Sequence, residues 1–92
     1  MVVKVATPVE IVDGVSFRLR TDQIVILDGL TAPPKSSEKE KKAMAKLGEL
    51  VLKKKVAYEG HSIDAFGRTK ASVKYEDGTD VNRLMGEFLA TL

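Results

Sequence analysis

One helix-forming segment interrupts an otherwise β-type chain, and its position restricts the available folds more than any other feature. Residues 37–52 begin with Ser37 and Glu40 at the spacing of a capping box, and apolar side chains then recur at helical intervals. Three short runs of strand character come before this segment, and two more strand runs and a closing helical run follow it. The predicted order is therefore strand, strand, strand, helix, strand, strand, helix.

Turn residues separate the predicted strands. The first strand is predicted at residues 5–12 and ends at Asp13-Gly14, a dipeptide that favours a tight hairpin turn. Asp80 is predicted to cap the closing helix. The other four strands are predicted at residues 16–20, 24–29, 55–59 and 68–75. A mainly β chain with two helices, one of them between the third and fourth of five strands, has the arrangement of an OB-fold barrel, although periodicity alone leaves other small α+β folds open.

The composition indicates one globular domain, spanning residues 1–92, with 43% hydrophobic and 30% charged residues. The chain contains no cysteine, which excludes disulfides, thiolate catalysis and Cys-ligated zinc. Its single histidine, His61, falls in a segment predicted to be a loop, and we interpret it as a solvated side chain without a special role. No cofactor is predicted.

The distribution of apolar and charged residues sets expectations for location and partners. The first residues lack the apolar run and cleavage site of a signal peptide, and no segment approaches the roughly 20 apolar residues of a membrane span. A cytoplasmic protein without a membrane partner is therefore predicted. The net charge of +2 is too small to indicate nucleic-acid binding by itself, so the placement of the positive side chains matters more.

Four segments resemble, in the same order, the conserved segments of the staphylococcal-nuclease (thermonuclease) family. They read VDGVSFRL, VILDGLTAPP, DAFGRTKASV and EDGTDVNRLMGEFLA. The resemblance covers nearly the whole chain and implies a five-stranded OB barrel. The family usually continues with a further C-terminal helix, so the resemblance also implies a barrel truncated at its C-terminus. A surface left bare in this way would favour a protein partner or a homodimer.

The resemblance implies a calcium-dependent nuclease site, which needs two metal-binding aspartates, a glutamate and two arginines. The two aspartates correspond to Val15 and Thr31, and the glutamate corresponds to Pro34. One arginine corresponds to Ile26, and only the other is retained, as Arg68. Because four of the five groups are replaced, the chain is predicted to be a non-catalytic relative of these nucleases, with no metal and no catalytic residue.

A relocated metal site is the alternative to complete loss of catalysis. Asp28 lies near the end of the third predicted strand, where it could hold a metal together with Asp13 or Glu10. Asp13 is better explained as a turn residue, and Asp28 as a solvated charge. This alternative predicts residual calcium-dependent phosphodiester hydrolysis.

Basic side chains coincide with the parts of an OB barrel that bind oligonucleotides, namely strands two and three and the neighbouring loops. Arg18 and Arg20 lie on the second predicted strand, and Arg68 and Lys70 lie in and after the loop between strands four and five. Phe66 beside them would add an aromatic platform of the kind that single-strand binding uses. The same charges also fit the ordinary solvation of a barrel strand, and Phe66 also fits packing under its own loop.

Two tyrosines are assigned to the core rather than to base stacking, namely Tyr58 and Tyr75. Three functions then remain open: a module that binds single-stranded DNA or RNA, a protein-interaction or structural module, and a nuclease with a relocated or residual site. The sequence does not separate DNA from RNA, because no residue identifiably reads a 2′-hydroxyl.

Overall fold

A curled six-stranded sheet and two helices make up the structure. The computed structural model describes residues 3–92. Its elements are β1 (Val3–Ala6), β2 (Pro8–Asp13), β3 (Ser16–Leu19), β4 (Ile24–Leu27), α1 (Glu38–Val51), β5 (Val56–Ile63), β6 (Thr69–Tyr75) and α2 (Val81–Ala90). The strand order is β1-β5-β6-β4-β3-β2, and every pairing is antiparallel except the parallel pair β4–β6. The mainly β class with two helices is therefore as predicted.

The strand count differs from the prediction, because the first predicted strand is two strands. Only Thr7 separates β1 from β2, yet β1 pairs with β5 while β2 pairs with β3 at the opposite edge of the sheet. Pro8 begins β2, and proline lacks an N–H donor and restricts the residue before it, so the pairing changes partner at this point. The two edges of the sheet thus belong to one continuous piece of chain.

The fourth predicted strand is longer than expected. It continues through residues 60–63, which were predicted to be a loop. Gly60 pairs with Ala71 and Ser62 pairs with Lys70, so His61 is an extra residue on its strand. This arrangement is a β-bulge, which re-aims the inserted side chain. His61 is therefore a strand residue, and the prediction that it lies in a loop is wrong.

One hydrophobic core lies between the sheet and the two helices. It comprises Val15, Phe17, Leu19, Val25, Leu27, Ala43, Leu47, Val51, Val56, Tyr58, Ala71, Val73, Val81 and Met85. Tyr58 belongs to this core, and Tyr75 packs against it and donates its hydroxyl to the carbonyl of Leu50. Both tyrosines are therefore placed as predicted.

Side chains cap both helices as the sequence predicts. The hydroxyl of Ser37 accepts a hydrogen bond from the backbone N–H of Glu40 at 3.0 Å, and the carboxylate of Asp80 accepts one from the N–H of Arg83 at 3.2 Å. The Glu40 carboxylate completes the first cap by accepting from the N–H of Ser36 at 3.1 Å. No helix within residues 3–92 is long and apolar enough to cross a membrane.

Asn82 attaches α2 to the sheet where β4 ends. Its amide nitrogen donates to the carbonyls of Asp28 and Ala71 at 3.0 and 3.1 Å, and its amide oxygen accepts from the N–H of Val73 at 2.9 Å. These bonds supply partners to the Asp28 carbonyl and the Val73 N–H, and a second donor to the Ala71 carbonyl, which also accepts from the N–H of Asp28 at 2.9 Å. They also fix the point at which Asp28 leaves β4.

Candidate functional site

A cleft of about 320 Å³ lies between the segment that precedes α1 and the loop that joins β5 to β6. Its lining residues are Val12, Asp13, Lys35, Ser36, Glu40 and Arg68. The cleft therefore contains Arg68, the arginine for which the sequence resemblance implied a phosphate-binding role.

None of the four replaced positions supplies a charged group. Val15 is 3% exposed and belongs to the hydrophobic core, and Ile26 is half-buried against that core. Thr31 and Pro34 are exposed in the segment before α1. Neither a buried valine nor an exposed proline can bind calcium or activate water, because both lack a side-chain oxygen or other polar group.

Arg68 is held by Asp64 within the same loop. Its Nε lies 2.6 Å from Oδ2 of Asp64, while Oδ1 of Asp64 accepts hydrogen bonds from the backbone N–H groups of Phe66 and Arg68, each at 2.9 Å. Burial raises the pKa of Asp64, but the backbone and guanidinium donors of Arg68 outweigh it and hold that pKa below its usual range. The carboxylate is therefore ionised, and it fixes the orientation of the guanidinium.

Phe66 projects into solvent beside this pair. Its ring is 83% exposed, and the guanidinium carbon of Arg68 lies 5.3 Å from the ring centroid. Gly67, with φ of +79°, makes the intervening turn that few other residues adopt readily. The alternative in which Phe66 packs under its loop is therefore wrong.

Only some of the other basic residues predicted to bind nucleic acid lie on one surface. Arg18 pairs with Glu10 at 3.1 Å and with Asp22 at 2.9 Å, so its charge is already offset. Lys70 is exposed on the face of β6 that points away from the core, and the register across β4 gives Arg18 the same face. Arg20 follows the end of β3 and lines a separate groove.

The three carboxylates proposed for a relocated metal site each contact a different protein group. Glu10 pairs with Arg18, and Asp13 accepts a hydrogen bond from the N–H of Val15 at 2.8 Å, which is the turn role predicted for it. Asp28 contacts His61. Among residues 3–92, no three His, Asp or Glu side chains are grouped closely enough to hold a metal ion.

The structure reveals one cluster that the sequence interpretation missed. His61 Nδ1 lies 2.7 Å from Asp28 Oδ2, and His61 Nε2 lies 3.1 Å from Ser72 Oγ. His61 therefore contacts two polar groups and is not simply solvated. Nothing in the sequence signals this arrangement, because it depends on the β-bulge and on the pairing of β4, β5 and β6.

The fold and the cleft define a small mainly β domain with two helices and a polar, cation-bearing loop surface. No known family model matches the chain, and no curated protein is significantly similar to it.

Proposed function

We propose that this chain is a non-catalytic OB-fold domain of the staphylococcal-nuclease type that binds single-stranded nucleic acid. The topology supports the barrel in this proposal. If β1 and β2 are counted as two halves of one bent strand, the sheet has five strands, with α1 between the third and the fourth. The bent strand pairs with neighbours at both edges of the sheet, as closing a sheet into a barrel requires.

The exposed ring of Phe66, with the guanidinium of Arg68 against it, is the observation that carries the binding function. A phenylalanine that is 83% exposed leaves its apolar faces in water, and a nucleobase stacked on it would remove that exposure. Stacking on an aromatic side chain is worth about 1–3 kcal/mol per base and tolerates any sequence. The adjacent guanidinium adds a cation to the same platform.

Cations beside this platform suit a phosphate backbone. Asp64 binds Nε of Arg68, whereas the two terminal nitrogens of that guanidinium make no hydrogen bond to any group of residues 3–92. Lys35 lines the same cleft, and Lys70 follows Arg68 on the same face of the chain. A strand with a base on Phe66 would therefore find cationic donors for its phosphates in the neighbouring cleft and on β6.

The four replaced positions support binding without cleavage. In the implied nuclease mechanism, anionic oxygens hold calcium and a carboxylate acts on water, but the corresponding positions of this chain hold Val15, Thr31 and Pro34. Removing one electrostatic contributor from an active site typically lowers the rate about 10²–10³-fold. Replacing four together leaves no route to catalysis that resembles the family's.

A fluorescent single-stranded oligonucleotide tests this proposal directly. Anisotropy at low salt, with calcium and again with chelator, reports binding, and a gel of the same samples reports cleavage. We expect binding that does not depend on calcium, that weakens steeply with salt, and that leaves the strand uncut. Calcium-dependent cleavage would overturn the non-catalytic assignment, and absence of binding would overturn the nucleic-acid assignment.

Matched variants locate the binding surface. Phe66→Leu keeps an apolar side chain but removes the ring, and we expect about tenfold weaker binding. Lys70→Ala should weaken binding and reduce the salt slope by about one. Lys55→Ala is the control, because this exposed lysine lies at the opposite end of the β5–β6 hairpin from the loop. Equal effects of Lys70→Ala and Lys55→Ala would indicate diffuse charge attraction without a defined site.

An interaction module is the second candidate, and the edge strand β1 favours it. Val3 and Val5 are 57% and 54% exposed on this strand. Exposed apolar residues on an edge strand promote pairing with another chain. Under this candidate we expect a concentration-dependent dimer in sedimentation experiments, which Val5→Lys should dissociate. A chain that remains monomeric at all concentrations would remove self-association as its function.

A further inference from the structure

Three polar side chains from three neighbouring strands meet on the face of the sheet that points away from the core. Asp28 directly follows β4, His61 is the inserted residue of the β5 bulge, and Ser72 lies on β6. Leu27 pairs with Ala71 in the parallel register, so the next residues along each strand, Asp28 and Ser72, are neighbours. His61 bridges them through its two ring nitrogens, at 2.7 Å and 3.1 Å.

The carboxylate determines which ring nitrogen carries the proton. The hydrogen bond from His61 holds the pKa of Asp28 below its usual range, with burial opposing it and Lys70 assisting. An ionised carboxylate only accepts hydrogen bonds, so Nδ1 of His61 must be the protonated nitrogen. In the neutral imidazole, Nε2 then keeps its lone pair, and the Ser72 hydroxyl donates to it. This polarity lets a histidine take the proton of a serine nucleophile.

Backbone structure supports each member of the array. Asn82 binds the carbonyl of Asp28 and two backbone groups of β6, which anchors the carboxylate beside the strand that carries Ser72. The bulge re-aims His61 toward both partners. We propose that Asp28, His61 and Ser72 form a nucleophile array in which Ser72 is reactive toward small neutral acyl esters. This activity is separate from nucleic-acid binding and does not rest on it, and the domain described above is non-catalytic only toward phosphodiesters.

The surface around Ser72 determines the class of ester. Ser72 borders a groove of about 320 Å³ whose other lining residues are Val3, Ala57, Tyr58, Glu59, Lys74 and Asp80. Two carboxylates and one ammonium group make this groove net negative, so it disfavours anionic substrates. Val3 and Ala57 offer apolar contact to a short acyl chain. Lys74, two residues from Ser72 on the same face of β6, is the cation available to the oxyanion that develops during attack.

The reaction is an acyl transfer that needs no oxidant or metal. Ser72 Oγ forms a bond to the ester carbonyl carbon while its proton passes to Nε2 of His61. The bond from that carbon to the leaving oxygen then breaks, and His61 gives the proton to the departing alkoxide or phenolate, which leaves as an alcohol or phenol. Acyl-Ser72 remains, and water attacks its carbonyl carbon while His61 accepts a proton from the water. The bond from that carbon to Ser72 Oγ then breaks, His61 returns the proton to Oγ, and the carboxylic acid leaves. Asp28 acts as a positioning residue, because it holds the required tautomer of His61.

The test uses the full chain with p-nitrophenyl acetate. We expect one acetyl group to attach in the early phase, as seen by intact mass, and peptide mapping to locate it on Ser72. A general base contributes about 10²–10⁴-fold, so His61→Gln should slow this acetylation at least 100-fold. Asp28→Asn should slow it less, by about tenfold, and Ser72→Ala should abolish the adduct. Ser62→Ala, an exposed serine beside His61, is the matched control and should react like the unaltered chain.

Mapping of the unaltered chain keeps the proposal testable even if a variant fails to fold. Acetyl groups confined to lysines or to the amino terminus would overturn it, as would complete absence of an adduct. Acetylation of Ser72 at an unchanged rate in a folded His61→Gln variant would also overturn it, because the array would then contribute nothing. Circular dichroism of each variant establishes which of them are folded.

Discussion

Two polar clusters on this domain contain similar ion-pair and hydrogen-bond contacts, but one joins residues that are close in sequence and the other joins residues that are distant in sequence. In the loop after β5, Asp64 binds a guanidinium four residues later in the chain. In the array beside β6, His61 binds a carboxylate 33 residues earlier and a hydroxyl 11 residues later. The first cluster forms within a single turn. The second exists only because three strands pair in one particular register, so the two clusters should respond differently to damage elsewhere in the fold.

Chain entropy explains this difference. Closing a short loop restricts few residues, so the contact between Asp64 and Arg68 can form within the hairpin alone. The contact between Asp28 and His61 requires the ends of a much longer segment to meet, which β6 and α2 accomplish by pairing and packing. We therefore expect the array to depend on the tertiary structure and the loop cluster to depend chiefly on its own residues.

Asn82→Ala should produce the largest effect and separate the two clusters. It removes three hydrogen bonds between α2 and the sheet and takes these partners from the Val73 N–H and the Asp28 carbonyl, whereas the Ala71 carbonyl keeps its bond from the Asp28 N–H. Each buried group left unpaired costs about 1–3 kcal/mol, so we expect the free energy of unfolding in urea to fall by roughly 2 kcal/mol. Acetylation of Ser72 should decrease with it, whereas oligonucleotide binding at Phe66 should persist.

The neighbouring exposed residue provides the control for this prediction. Arg83→Ala removes a long side chain from the same turn of α2 but only a surface pair with Glu87 at 3.6 Å. Surface changes of this kind usually alter stability by less than about 0.5 kcal/mol. Equal losses from Asn82→Ala and Arg83→Ala would show that the helix turn, and not the amide contacts, determines stability here.

Asp64→Asn should have a smaller effect that depends on pH. The folded-state pKa of Asp64 lies below that of an unfolded aspartate, about 3.9, so its stabilisation is complete above that value. As the pH falls through the lower folded-state pKa, the carboxylate is protonated and this stabilisation is lost. The variant should therefore melt at a lower temperature than the unaltered chain at neutral pH, and the two melting temperatures should converge in acid.

An exposed carboxylate serves as the comparison for this pH series. Glu87→Gln breaks a solvent-exposed pair, so its melting temperature should follow that of the unaltered chain throughout the series. If Asp64→Asn also follows the unaltered chain at neutral pH, the ion pair with Arg68 does not stabilise the loop.

Asp28→Asn should lower stability less than Asp64→Asn does, because the Asp28 carboxylate is more exposed, and it should alter one imidazole. Nitrogen-15 NMR of the unaltered chain at about pH 8, where imidazoles are neutral, should show Nδ1 of His61 protonated and Nε2 unprotonated. An asparagine amide both donates and accepts, so the variant should show a mixture of the two tautomers. A protonated Nε2 in the unaltered chain would remove the basis for the Ser72 array.

Local sequence signals predicted much of the fold. The capping residues Ser37 and Asp80 correctly predicted where both helices begin, because a cap involves a side chain and a backbone group only three residues apart. The assignment of Tyr58 to the core rather than to base stacking was also correct. The Asp13-Gly14 turn was also predicted, and its aspartate makes the local hydrogen bond expected of a turn residue.

Two features escaped this reasoning for the same reason. The division of the first strand at Thr7 and the extension of β5 through His61 are both decided by which distant strand supplies the hydrogen bonds. The pattern of apolar and polar residues around Thr7 and around His61 does not indicate which strand each segment pairs with. The solvent exposure of the Phe66 ring could not be predicted either, because it depends on the conformation of the loop.

The sequence by itself determined the order of strands and helices apart from the division of the first strand, together with the helix caps and the turns. Each of these depends on neighbouring residues or on residue identity alone. The tertiary structure alone decided that Asp28, His61 and Ser72 would meet. Their contact requires a parallel pair, a bulge and an antiparallel pair to combine, and no local free-energy preference specifies that combination.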